Sequence, residues 1–238
     1  MRLHIRKTQR ERALYINSSL RILALLSVSL FAHADININQ NEFCITKKVV
    51  SWIETRNKNL TRQNFDYSCG SAALSTIFSY YYDKNITEND ILIDIANSIG
   101  LYIEKLDVKK KSSISFADLT EYVQRSKFRA IGIAVGFDEI LNLKIPAIIF
   151  VKIRNQEHFT ALKSSDETNV YLADPTFGNI SVSHSKFKEM FFQRAGFDDQ
   201  GKILIILPKK EIATNKSFME IIPFGTVIYE TIKIPRSN

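Results

Sequence analysis

The sequence changes its repeat once, near residue 127, and that change limits what the chain can fold into. Upstream, GSAALSTIFSYYY over 70–82 is small and apolar without an interior proline, which predicts a helix buried on most sides and ended by Asp83-Lys84-Asn85. Thr87-Glu88-Asn89-Asp90 predicts the start of a second helix, with an apolar face over 91–99 and Gly100 as its stop. The lysine-rich stretch 101–113 reads as a solvated loop, and Ser115-Phe116-Ala117-Asp118 opens a third helix with Leu119, Tyr122 and Val123 inward. Downstream, the runs 128–135, 147–153, 159–163, 170–173 and 202–207 are short and rich in β-branched or aromatic residues, the pattern of strands in a mostly antiparallel sheet. Short helices are expected at 137–143 and 185–192. Helices first and strands second predicts an α+β domain with two lobes.

The ends of the chain have a different character. In residues 1–34 a basic segment (Arg2, Arg6, Lys7, Arg10, Arg12, Arg21) precedes the apolar run 22–31 and the small-residue site Ala32-His33-Ala34, the layout of an export signal cut after Ala34. The run is about ten residues, against roughly 20 for a membrane-spanning helix, so no stable span is expected after cleavage. An uncut signal would instead leave the protein membrane-tethered. Export, to the periplasm or beyond, is the expected location. Residues 1–34 hold six Lys or Arg against Glu11, a net of +5 out of the whole chain's +7, leaving +2. The basic balance is therefore a targeting feature, and a nucleic-acid partner has no support. Residues 35–59 are expected to form a polar N-terminal arm packed on the domain, with a strand-like patch at 49–53 around Trp52. Residues 60–208 form the main domain, and 209–238 a C-terminal extension with a last strand near 225–234. The 45% apolar and 24% charged content is enough for one such core.

Cys69 stands at the head of the first helix, where unpaired backbone N–H groups and the helix dipole favour a thiolate. The competing reading is a disulfide with Cys44, the other cysteine of the mature chain. His158 begins one apolar run and Asp174 ends the next, with SSDETN between them. A hairpin centred on Asp166 makes paired residue numbers sum to 332, which sets His158 opposite Asp174 on one face. A carboxylate holding one imidazole nitrogen leaves the other free to take a thiol proton. Taken singly, a strand-start histidine and an aspartate before Pro175 are ordinary residues; together with Cys69 they form a candidate triad. His184, within Ser183-His184-Ser185, reads as a helix entrance rather than a base. Gln63, six residues before the cysteine, is either a solvent-facing loop residue or a donor that joins the Cys69 N–H at a developing oxyanion. Two cysteines and two mature histidines lack metal-ligand spacing, so neither a metal nor a cofactor is expected.

RQNFDYSCGSAAL (62–74), SFADL (115–119), HFTAL (158–162), LADPTFGN (172–179) and GKIL (201–204) occur in an order that resembles the stand-alone exported branch of the C39 cysteine peptidases. These are related to the double-glycine peptidase domains that process bacteriocins. The resemblance implies a papain-like α+β fold, Cys69 as nucleophile, His158 as base and acid, Asp174 as orienting acid and Gln63 as oxyanion-hole donor. The expected substrate is a peptide or protein of the cell envelope. An export signal without an ATP-binding P-loop departs from the exporter-linked members, which cut leaders ending in two glycines. Two alternatives stand beside hydrolysis. One is a thiol transpeptidase or amidase; the other is a non-catalytic peptide-binding module for pilus or envelope assembly.

Overall fold

A computed structural model describes residues 35–40, 43–48, 50–98, 114–153, 156–192 and 201–220, with side chains from residue 50 onward. The predicted signal segment, the loop at 101–113 and the strand near 225–234 lie outside the described residues.

The chain divides into two units, at Ser51 and Trp52. In the first, strands β1 (Asp35–Gln40) and β2 (Phe43–Lys48) form an antiparallel hairpin in which Ile38 pairs with Ile45. The sequence reading places no strand in this arm before residue 49, so the hairpin is a correction.

The second unit opens with α1 (Trp52–Asn57), a helix where a strand-like patch was expected. Short apolar runs do not separate the two states, and flanking contacts decide. Here the Asn179 amide donates to the carbonyls of Arg56 and Lys58, which fixes the end of the helix.

Helix α2 (Cys69–Thr76) continues through one π-helical turn (Ile77–Tyr81) and ends at Asp83, whose φ of 52° turns the chain away. Gly70 through Phe78 are all buried, so a hydroxyl among them gains from a partner inside the protein, and two of the three have one. Ser75 donates to the Ile86 carbonyl, and Thr76 donates to Ala72 while accepting from the Thr61 N–H. Helices α3 (Glu88–Ser98) and α4 (Phe116–Arg125) pack beside it. Each begins with a reciprocal cap, Thr87 with Asp90 and Ser115 with Asp118.

The sheet has six antiparallel strands: β3 (Phe128–Val135), β4 (Ala147–Ile153), β5 (Gln156–Ser165), β6 (Asn169–Asp174), β7 (Gly178–Ser183) and β8 (Gly201–Pro208). Their spatial order is β3-β8-β4-β5-β6-β7. Short helices α5 (Phe137–Leu141) and α6 (His184–Phe191) lie between strands in sequence. Successive residues of β4 serve opposite cores. Ile148 joins Leu74, Phe78, Leu119 and Phe159 on the side of α2, while Ile149 and Val151 join Leu162, Phe187 and Phe191 on the other. A strand buried on both faces reads as a continuous apolar run, which is what AIIFV is. The fold is α+β, with the cysteine on the helical side and the histidine and aspartate on the sheet.

Strand β7 has no counterpart among the predicted elements, because NISVS carries only two apolar residues, Ile180 and Val182, both buried. Beyond β8, a 3₁₀ turn (Lys216–Met219) buries Phe218 completely against Tyr81, and the Asn215 N–H donates to the Tyr81 carbonyl. Residues 209–220 are thus built into the helical side.

Candidate active site

The loop that leads into α2 is fastened from three directions. The Gln63 N–H donates to the Pro175 carbonyl at 3.2 Å, and the Asn64 N–H donates to the carboxylate of Glu88, a buried side chain at the head of α3. Ser68 occupies the N-cap position of α2 but does not cap it. Its hydroxyl turns back to the Phe65 carbonyl at 2.8 Å. The first N–H groups of α2 are thereby left without the side-chain acceptor that a serine cap usually provides.

Cys69 follows as a free, partly buried thiol. It makes no disulfide in this structure. Burial pushes the thiol pKa up. A hydrogen bond to His158, the charge of that ring and the N–H groups of Phe159 and Gly70 outweigh burial and hold the thiol below its ordinary value.

His158 lies on β5 and Asp174 at the end of β6. The imidazole Nε2 is 2.9 Å from Asp174 Oδ2, with the side chains 12% and 0% exposed. The other ring nitrogen, Nδ1, is left for the sulfur. Burial pushes the imidazole pKa down, but the Asp174 charge and hydrogen bond, followed by the contact with Cys69, outweigh it and raise the pKa above the ordinary value. The second oxygen of the carboxylate, Oδ1, accepts from the N–H groups of Thr176 and Phe177 at 2.8 Å each. Both oxygens of this buried anion are therefore hydrogen-bonded.

The expected ladder register needs correction. Ala161 pairs with Ala173 and Leu162 with Leu172, a sum of 334, and a bulge at Lys163 shifts the sum to 335 beside the turn. Asp174 therefore stands level with Thr160, two residues from His158, rather than opposite it. A displacement of two preserves the face, which is why the two side chains still meet. The turn itself is built on Asp166, which accepts from the N–H groups of Thr168 and Asn169 and from the Tyr171 hydroxyl.

Gln63 comes to the same turn that carries Asp174. Its Oε1 accepts from the Thr176 hydroxyl at 2.9 Å. Sequence reasoning did not single out Thr176, Glu88 or Ser68. His184 lies elsewhere, with Nε2 donating to the Asp166 carbonyl at 3.0 Å. Among the described residues no cluster suited to a metal ion occurs, and no helix is long and apolar enough to cross a membrane.

A thiol at a helix head in contact with a carboxylate-held imidazole, on an α+β scaffold, is an arrangement that cysteine peptidases use. The chain belongs to the peptidase C39 family, whose sequence model matches residues 57–197. It is 34% identical over 143 residues to a probable functional amyloid protease, FapD, of Pseudomonas fluorescens, covering 60% of this chain and 61% of that one. It is 29% identical over 177 residues to the protein of the same name in Pseudomonas aeruginosa, covering 72% and 76% respectively. Among solved structures, a double glycine motif protease from an AMS/PCAT transporter, crystallised with its leader peptide, aligns with a TM-score of 0.48 at 20% identity. That alignment covers 63% of this chain and 90% of the other.

Proposed function

We propose that this chain is an exported thiol peptidase that cuts a peptide bond through an acyl-enzyme on Cys69. The observation that carries the reading is the contact of the Cys69 sulfur with His158, whose far nitrogen is held by Asp174 at 2.9 Å. The thiolate attacks the scissile carbonyl carbon, and the carbonyl electron pair moves to oxygen, where the Cys69 N–H and the Gln63 amide receive it. The His158 imidazolium passes its proton to the departing amine, leaving a thioester. A water molecule then attacks the thioester, giving one proton to His158, and the thiolate is released with the acid product.

The substrate we infer is an amyloid-forming polypeptide of the cell envelope, on the strength of the two relatives named as functional amyloid proteases. The basic segment and apolar run of residues 1–34 support the same compartment.

The test uses the exported protein and its Cys69→Ala variant, each incubated with the fibril-forming polypeptide of the same envelope, with the fragments sequenced by mass spectrometry. Discrete cleavage by the wild type alone is the expected result. Equal fragmentation by both proteins contradicts the role of Cys69, and an intact polypeptide contradicts the substrate.

A further inference from the structure

We propose that Thr176 is a positioning residue that sets which end of the Gln63 amide faces the reacting carbonyl. The inference rests on the reading of Gln63 as an oxyanion donor and adds the group that makes it one. A glutamine amide has an acceptor end and a donor end, and rotation by half a turn exchanges them. Only the donor end stabilises an oxyanion.

Gln63 is held at both of the places that matter. Its backbone N–H is fixed to Pro175 at 3.2 Å, which sets where the residue sits. Its Oε1 accepts a hydrogen bond from the Thr176 hydroxyl at 2.9 Å, which directs Nε2 to the opposite side. Thr176 is itself fixed, because its backbone N–H donates to Asp174 Oδ1 at 2.8 Å. The segment 174–177 therefore holds the carboxylate that orients His158 and the hydroxyl that orients Gln63 on one rigid turn. The distance between base and oxyanion donor is set by that turn rather than by two independent loops. Misplacement of a catalytic group by about 1 Å can cost on the order of 10²-fold in rate, so one shared anchor has kinetic value.

The side chain separates cleanly from the backbone. Thr176→Val keeps the shape and the backbone bond to Asp174 but removes the hydroxyl, whereas Thr176→Ser keeps the hydroxyl. The experiment measures the burst of p-nitrophenol from the p-nitrophenyl ester of benzyloxycarbonyl-glycine, which reports acylation, and the rate of Cys69 alkylation by iodoacetamide against pH. Alkylation needs the thiolate and no oxyanion donor.

Thr176→Val is expected to slow acylation about tenfold with the alkylation profile unchanged, and Thr176→Ser to restore the rate. Gln63→Ala is expected to slow acylation by about 10²-fold. Adding Thr176→Val to Gln63→Ala should cost nothing further, because the hydroxyl acts only through the amide. If Thr176→Val acylates at the wild-type rate while Gln63→Ala is slow, the positioning role is wrong and the role of Gln63 stands. If Gln63→Ala acylates at the wild-type rate, the oxyanion reading falls and this inference falls with it. If Thr176→Val disturbs alkylation, or slows the Gln63→Ala background by the same factor, the residue is structural and the inference is overturned. A wild-type protein that releases p-nitrophenol no faster than Cys69→Ala contradicts the nucleophile itself.

Discussion

Asp174 holds His158 diagonally across the β5–β6 ladder, with one carboxylate oxygen on the imidazole and the other on two backbone N–H groups. An amide at this position keeps the shape but turns an NH₂ toward one of those donors. Asp174→Asn is therefore expected to lower kcat by roughly 10²–10⁴-fold, by analogy with loss of the orienting acid in other triads. It should also destabilise the fold by about 1–3 kcal/mol, the penalty for an unsatisfied buried group. Steady-state kinetics and urea midpoints on the same preparation check both.

The two shifted pKa values set the pH window. Cys69 titrates below its ordinary value and His158 above its own, so thiolate and imidazolium coexist between the two folded values. Activity should rise on an acid limb that belongs to Cys69 and fall on an alkaline limb that belongs to His158. The stability terms follow the same signs. The His158 contribution is complete below the unfolded imidazole pKa of about 6.5 and is lost as pH rises through the raised folded value. The Cys69 contribution is complete above the unfolded thiol pKa of about 8.5 and is lost as pH falls through the depressed folded value. Removing the carboxylate charge in Asp174→Asn should move the alkaline limb to lower pH, which a pH–rate profile of kcat/KM reads directly.

Asp166 lies in the hairpin turn that fixes where β5 and β6 pair. Its carboxylate gathers two backbone N–H groups and the Tyr171 hydroxyl, and with the Tyr171 bond as the largest cause its pKa is lowered to about 2. Asp166→Ala should destabilise by about 0.5–1.5 kcal/mol, the net worth of an ordinary hydrogen bond. In the wild type this contribution is present above the ordinary carboxylate pKa and is lost as pH falls toward 2. A urea titration repeated at pH 7 and pH 3 should show the wild type and the variant converging at the lower pH.

Gly201 begins β8 where a ring occupies the space a side chain would need. A Cβ there would lie 1.7 Å from Phe191 Cε1, and Phe191 is fully buried. Gly201→Ala is expected to cost about 1–3 kcal/mol through overpacking. Thermal unfolding followed by circular dichroism measures it.

How far the sequence carried the reading depended on how local each signal was. Helix α2, the capped starts of α3 and α4, and the strands β3, β4 and β8 follow from period, caps and β-branched runs within a few residues of one another. The pairing of His158 with Asp174 was legible because parity survives an error of two in the register. The register itself was not, because the turn is centred beyond Asp166 and a bulge at Lys163 adds a residue. Strand β7 was hidden by its polar residues, and α1 by β-branched neighbours that fit either state. Thr176 was out of reach because its partner is 113 residues away in sequence, and nothing local says that a threonine after an Asp-Pro pair will meet a glutamine. Glu88 was legible as a helix-start acid but not as the acceptor for the Asn64 N–H, for the same reason.

The most direct test of the central claim is the pH dependence of Cys69 alkylation by iodoacetamide, mapped to the residue by mass spectrometry, in the wild type and in His158→Ala. The account predicts that the wild-type rate reaches its plateau well below the ordinary thiol pKa of about 8.5, and that His158→Ala moves the midpoint up to or beyond that value. A wild-type midpoint at the ordinary thiol value, unchanged by removing the imidazole, would contradict it.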